Sequence, residues 1–126
     1  MKYLATMLSA LVLAGTAFAG EYPDISITEL KKAIAEKKVT VVDVNGTSSF
    51  EKGHIPGAID YRAKKGDFAK LLPSDKGALV VAYCGGPTCG AYAAAAKNAS
   101  ELGYTNVKHL SAGISGWLQA GEATEK

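Results

Sequence analysis

The sequence predicts an α/β fold, a parallel sheet covered by helices on both faces. Three observations carry that prediction. Val39-Thr40-Val41-Val42-Asp43-Val44 and Ala78-Leu79-Val80-Val81-Ala82-Tyr83 are near-continuous apolar runs, as strands buried on both faces require. Helical patterns alternate with them, one opened by a cap at Ser26 and one closed by Gly103. The second run ends in Tyr83-Cys84-Gly85-Gly86-Pro87-Thr88-Cys89-Gly90, a cysteine followed by a glycine-rich turn. In parallel sheets, ligands bind beyond the C-terminal strand ends, which is where this turn falls.

Residues 1–19 read as a signal peptide. Lys2 gives the positive start, Tyr3 to Gly15 is mostly apolar, and Ala17-Phe18-Ala19 forms a small-x-small cleavage site before Gly20. The apolar stretch is shorter than the ~20 residues of a membrane span. The expectation is an exported protein of a bacterial periplasm, residues 20–126, without stable membrane insertion.

In the mature part, Ile25-Ser26-Ile27-Thr28-Glu29-Leu30 opens a helix. Ser26 and Glu29 complete a capping box, and Ile25 with Leu30 forms a hydrophobic staple. Leu30, Ala33 and Ile34 share one face and lysines the other, so this helix packs on the sheet. Val39 to Val44 is the first strand. A polar turn follows from Asn45 to Ser49, with one helical turn around Phe50. Gly53 to Ile59 is a loop with a short extended piece. Residues 62–77 are basic and loop-like, with a short helix around Phe68 to Leu72. After the cysteine strand, Ala91 to Leu102 is a helix, Asn106 to Leu110 the last strand, and Ser115 to Ala120 a last short helix.

Charge excludes one class of partner. The formal net charge is +2 at pH 7, and Lys2 leaves with the signal peptide, so nucleic-acid binding has no electrostatic support. The two cysteines and two histidines show no zinc spacing. Export would permit a disulfide between Cys84 and Cys89.

Cys84 is the candidate nucleophile. A thiol at a strand-to-helix turn meets a helix N-terminus and backbone N–H groups, both of which favour an anion. Such a setting lowers a cysteine pKa from its free value of ~8.5, and the thiolate is the reactive form. The loop from Cys84 to Gly90 contains no charged residue. Anion holding therefore falls to the N–H groups of Gly85, Gly86, Thr88, Cys89 and Gly90, since Pro87 has none. Three readings of Cys89 stand open: a thiol resolving a sulfur adduct of Cys84, a disulfide partner, or a packed reduced residue.

With these pieces in place, the chain resembles the rhodanese-like domains over nearly all of residues 20–126. Val41-Val42-Asp43-Val44 followed by Phe50-Glu51-Lys52-Gly53-His54-Ile55-Pro56-Gly57-Ala58 is similar to the family's first signature. Tyr83-Cys84 with its glycine turn is similar to the active-site loop. Leu110-Ser111-Ala112-Gly113-Ile114-Ser115-Gly116-Trp117 is similar to the closing signature. The resemblance implies a five-stranded parallel sheet flanked by helices. It also implies that Cys84 accepts sulfane sulfur as a persulfide and passes it to a nucleophile. Two departures matter: Asn45 and Cys89 stand where family members commonly carry arginine, and Arg62 is the only arginine of the chain. Arginine grips dianions such as thiosulfate best, so weak thiosulfate activity is expected, with a persulfide as an equal candidate donor.

The expectation is thus a monomeric sulfurtransferase that takes sulfur from thiosulfate or a persulfide and gives it to a thiol or partner protein. No metal or organic cofactor is implied. The rivals are a thiol–disulfide redox protein using Cys84 and Cys89, and a rhodanese-fold binding module without turnover. A phosphatase of this fold would need a longer loop bearing an arginine. His54, in its Gly-His-Ile-Pro-Gly turn, is expected to shape the scaffold. Asp43 is expected to tie loops together, Trp117 to pack the core, and His109, at the last strand's end, to be a surface or half-buried residue.

Overall fold

A computed structural model describes residues 22–126; the expected signal peptide, residues 1–19, lies outside the described residues. Helix α1 spans Ile27–Ala35 and begins where the sequence caps it. Ser26 Oγ accepts the Glu29 N–H at 3.0 Å, and the Glu29 carboxylate accepts the Ser26 N–H at 3.1 Å. Such a cap contributes about 1 kcal/mol. Ile25 and Leu30 are buried in one cluster, as the staple requires.

The remaining elements are β1 (Val39–Asp43), α2 (Thr47–Lys52), β2 (Ile59–Asp60), α3 (Tyr61–Lys64), α4 (Phe68–Leu71), β3 (Leu79–Tyr83), α5 (Tyr92–Glu101), β4 (Asn106–His109) and α6 (Gly113–Gln119). The strands form one parallel sheet in the order β2-β1-β3-β4. Residues 62–77 are more helical than the basic composition suggests: a 3-10 turn, Lys65–Asp67, links α3 to α4. Asp60 caps α3 by accepting the Ala63 N–H, and buried Phe68 anchors α4.

The five-stranded expectation is corrected to four strands. Residues 23–25 run parallel to β4 but meet it in a single bridge, Asp24 to His109. Ile25 N–H donates to His109 O and His109 N–H to Pro23 O, each at 2.9 Å. The ladder cannot lengthen because Pro23 lacks an N–H and the Ser26 cap turns the chain into α1.

The alternation of the strands divides the core in two. Val42, Val80, Ala82 and Val107 pack with Phe68 of α4 and Ala95, Ala96 and Ala99 of α5. Val41, Val81 and Tyr83 pack on the other face with Leu30 of α1, Trp117 of α6, Ile55 and Leu110. Both faces are covered, so the strands read as unbroken apolar runs. Register pairs Asp43 with Tyr83, and the Val44 N–H donates to Tyr83 O at 2.9 Å. The ends of β1 and β3 therefore lie side by side, and the loops that follow them share one rim.

Candidate active site

Cys84 is the first residue beyond β3 and is 1% exposed. Its loop folds back through a turn at Gly86-Pro87-Thr88-Cys89, where the Cys89 N–H donates to Gly86 O at 3.1 Å. Proline at the second position presets the backbone angle for such a turn. The turn brings Cys89 to Cys84: their Cα atoms are 6.3 Å apart and their sulfurs are joined in a disulfide. Of the three readings of Cys89, the structure thus holds the bonded pair. Cys89 itself is partly exposed.

Helix α6 holds the other side of the loop. The Ile114 and Ser115 N–H groups donate to Cys84 O and Gly85 O, each at 2.9 Å. Gly113 makes this approach, with φ +64; a Cβ there would stand 2.5 Å from the Gly85 carbonyl carbon. Only glycine fits, which gives the glycine of the closing signature its physical reason. Of the five N–H groups expected to face an anion, that of Cys89 is engaged within the turn. Those of Gly85, Gly86, Thr88 and Gly90 have no hydrogen-bond partner among the described residues. Gly85 and Gly86 are partly buried, while Thr88 and Gly90 are exposed.

The neighbouring loop, after β1, is tied shut. Tyr83 Oη donates to buried Asp43 at 2.5 Å, the Asn45 N–H donates to the same carboxylate at 2.8 Å, and Tyr83 Oη accepts the Ile55 N–H at 3.1 Å. Burial holds the Asp43 carboxyl above the ordinary range, with the Tyr83 and Asn45 hydrogen bonds acting in the opposite direction. Burial, and then the Asp43 hydrogen bond, push the Tyr83 hydroxyl upward. With every contact given to loop tying, Asp43 has the role expected of it.

Neither histidine side chain hydrogen-bonds the cysteine loop among the described residues. His54 Nδ1 lies 2.8 Å from Phe50 O, and its ring stacks on Phe50. Its backbone bridges Glu125, so the Gly-His-Ile-Pro-Gly turn pins the C-terminal segment. His109 is buried rather than on the surface, because the Tyr92 ring at the start of α5 stacks over it, and its Nε2 has no partner among the described residues. Burial lowers its pKa, against the opposing charge of Asp24. Trp117 is core, its Nε1–H donating to Ala123 O at 2.8 Å.

The structure gathers charge in one place that the sequence order does not show. Arg62 and Lys65 line a cleft of about 430 Å³ with Val44, Tyr61, Ala91 and Ala94. Val44 follows β1 and Ala91 follows Gly90, so the cleft adjoins the end of the cysteine loop. The available signal was position: Arg62 lies just beyond the C-terminal end of β2, on the ligand-binding rim of a parallel sheet. Among the described residues, no group of three or more His, Cys, Asp or Glu side chains could hold a metal. No helix among them is long and apolar enough to cross a membrane.

Residues 26–120 match the rhodanese-like domain family. The chain belongs to that family. This rhodanese-like chain is 29% identical over 100 residues to thiosulfate sulfurtransferase GlpE of Shewanella oneidensis, covering 79% of this chain and 95% of that protein. It is 36% identical over 102 residues to an HTH-type transcriptional regulator of Mycobacterium tuberculosis. That match covers 79% of this chain but only 44% of the regulator, less than half of its length. Among solved structures, a Bacillus halodurans protein is similar with a TM-score of 0.67 and 28% identity, covering 82% of this chain and 77% of that one. A thiosulfate sulfurtransferase of Pseudomonas aeruginosa gives a TM-score of 0.69 and 26% identity, covering 84% of this chain and 20% of that one.

Proposed function

We propose that this protein is a sulfurtransferase whose reduced Cys84 takes up sulfane sulfur as a persulfide and passes it to a thiol or another nucleophile. The observation that carries this reading is the place of Cys84. It ends a central strand, beside a loop whose Gly85, Gly86, Thr88 and Gly90 N–H groups have no partner among the described residues. Free N–H groups favour a thiolate and then a charged persulfide, as an oxyanion hole favours an oxyanion. The likeness to thiosulfate sulfurtransferases supports the reaction class.

Donor charge is met from the side of the loop. The Arg62 and Lys65 cleft supplies cations that residues 84–90 lack, and it suits a donor carrying an anionic group on a short stem. Export to an oxidising compartment belongs to the same reading. It rests on the leader pattern of residues 1–19, and a disulfide between the two cysteines is consistent with it.

The test uses reduced full-length protein treated with thiosulfate or a small persulfide, followed by intact mass and transfer to cyanide or a thiol. Cys89→Ala, which keeps Cys84 as the single thiol, is expected to gain the mass of one sulfur and to transfer it. Cys84→Ser is expected to fold and to show background transfer only, because a hydroxyl is a far poorer sulfur nucleophile. Retention of most of the activity by Cys84→Ser would remove Cys84 as the carrier.

A further inference from the structure

The disulfide gives the loop a second chemical capacity. We propose that Cys89 resolves the Cys84 persulfide, so that the protein reduces sulfane sulfur to sulfide and ends each turn as the Cys84–Cys89 disulfide seen in the structure. This step rests on the Cys84 persulfide and extends it from transfer to reduction. Three observations support it. The Cα atoms of the pair are 6.3 Å apart, within the ~4.4–6.8 Å that a disulfide spans. The Gly86-to-Cys89 turn carries Cys89 back toward Cys84, so the second thiol attacks from within the same loop. Burial separates the two sulfurs, with Cys84 enclosed and Cys89 partly exposed.

The chemistry balances with a named reductant. The Cys84 thiolate attacks the outer sulfur of a small persulfide, that S–S bond breaks, and the donor leaves as its thiolate. Cys89 loses its proton to solvent and attacks Cys84 Sγ. The Cys84–Cys89 bond forms, the bond to the transferred sulfur breaks, and hydrosulfide leaves. The transferred sulfur gains two electrons, and the two cysteines supply them. A dithiol reductant, as a small molecule or a partner protein, returns the pair to thiols. It attacks Cys89, the accessible sulfur, and so expels the buried Cys84 thiolate, which is again ready to accept sulfur. The reductant's second thiol then displaces Cys89.

Proximity decides the competition with transfer. A thiol on the same loop acts at an effective concentration of ~mM or higher, above that of dilute thiol acceptors. Sulfide release therefore outruns transfer unless an acceptor docks at the loop.

The experiment compares reduced wild type with Cys89→Ser, and with Cys89→Ala in case the serine disturbs the turn. Oxygen and free thiols are excluded, and the full chain receives a small-molecule persulfide. Sulfide release and intact mass are recorded. Wild type is expected to release one sulfide per chain and to lose the mass of two hydrogens. The Cys89 variants are expected to gain the mass of one sulfur and to release sulfide at least about 100-fold more slowly. If wild type and variants hold the added sulfur equally long, Cys89 is not a resolving thiol, while the Cys84 persulfide stands. Equal sulfide release by wild type and variants also overturns the inference. If no form gains sulfur or releases sulfide, the persulfide reading and this inference fall together.

Discussion

The loops after β1 and β3 lie side by side on one rim, yet they are built in opposite ways. The loop after β1 directs its polar groups inward: Asp43 accepts from Tyr83 and Asn45, and Tyr83 accepts from Ile55. The loop after β3 keeps four N–H groups without partners among the described residues and contains no charge of its own. Satisfied polar groups hold shape, whereas unsatisfied donors beside a nucleophile await an anion. One loop is the frame and the other is the proposed site. The contact at Gly113 holds the site loop in place from a third element.

The sharpest way to break this contrast is Gly113→Ala. It adds a Cβ 2.5 Å from the Gly85 backbone at a residue with φ +64, so it combines backbone strain with overpacking. A loss of about 3 kcal/mol or more is expected in urea unfolding. Persulfide formation on Cys84 should slow as the loop is displaced. Unchanged stability would mean that α6 does not position the site.

Tyr83→Phe tests the frame. It leaves a buried carboxylate oxygen and the Ile55 N–H without their partner, at an expected cost of about 2 kcal/mol. An unfolding midpoint equal to that of wild type would show that the buried tie is not needed.

Arg62→Ala tests the cleft with a smaller effect. The KM for an anionic donor is expected to rise several-fold with kcat nearly unchanged, and added salt should shrink the difference. A KM that stays the same for thiosulfate and for a carboxylate-bearing persulfide would remove the cleft from substrate binding.

The smallest effect concerns His109, buried beneath Tyr92 with its pKa lowered mainly by burial. The unfolded chain takes up the proton first as pH falls below the unfolded value of about 6.5. Stability from neutral His109 is therefore full above that pH and is lost as pH falls toward the folded value. His109→Phe keeps a ring under Tyr92 and should flatten the decline of Tm between about pH 7 and 5. An equally steep decline in the variant would place the acid sensitivity elsewhere.

Much of the frame was legible from local chemistry. The Ser26–Glu29 box, the apolar runs of β1 and β3, and Gly103 ending α5 act through neighbours in the chain, so residue type and spacing suffice. The place of Cys84 was legible for the same reason: a strand, a cysteine and a glycine turn are consecutive. The short helix around Phe68 was legible, but the helical turns of residues 61–67 were not, because they depend on Asp60 capping the chain as it leaves β2 and on Phe68 finding a core formed by distant strands. The fifth strand failed because the edge beside β4 has room for one bridge only before α1 begins.

The sequence by itself determined the α/β class, the capped first helix, and the cysteine at the end of a buried strand, since each follows from propensity and period. Only the tertiary structure decided that Cys89 reaches Cys84, that Gly113 presses on Gly85, and that Arg62 shares a cleft with Val44 and Ala91. These depend on parallel register and on how α6 and α3 dock, and so on distances between residues far apart in the chain or across a folded turn. Side-chain type states what each group can do, and packing alone selects which groups meet.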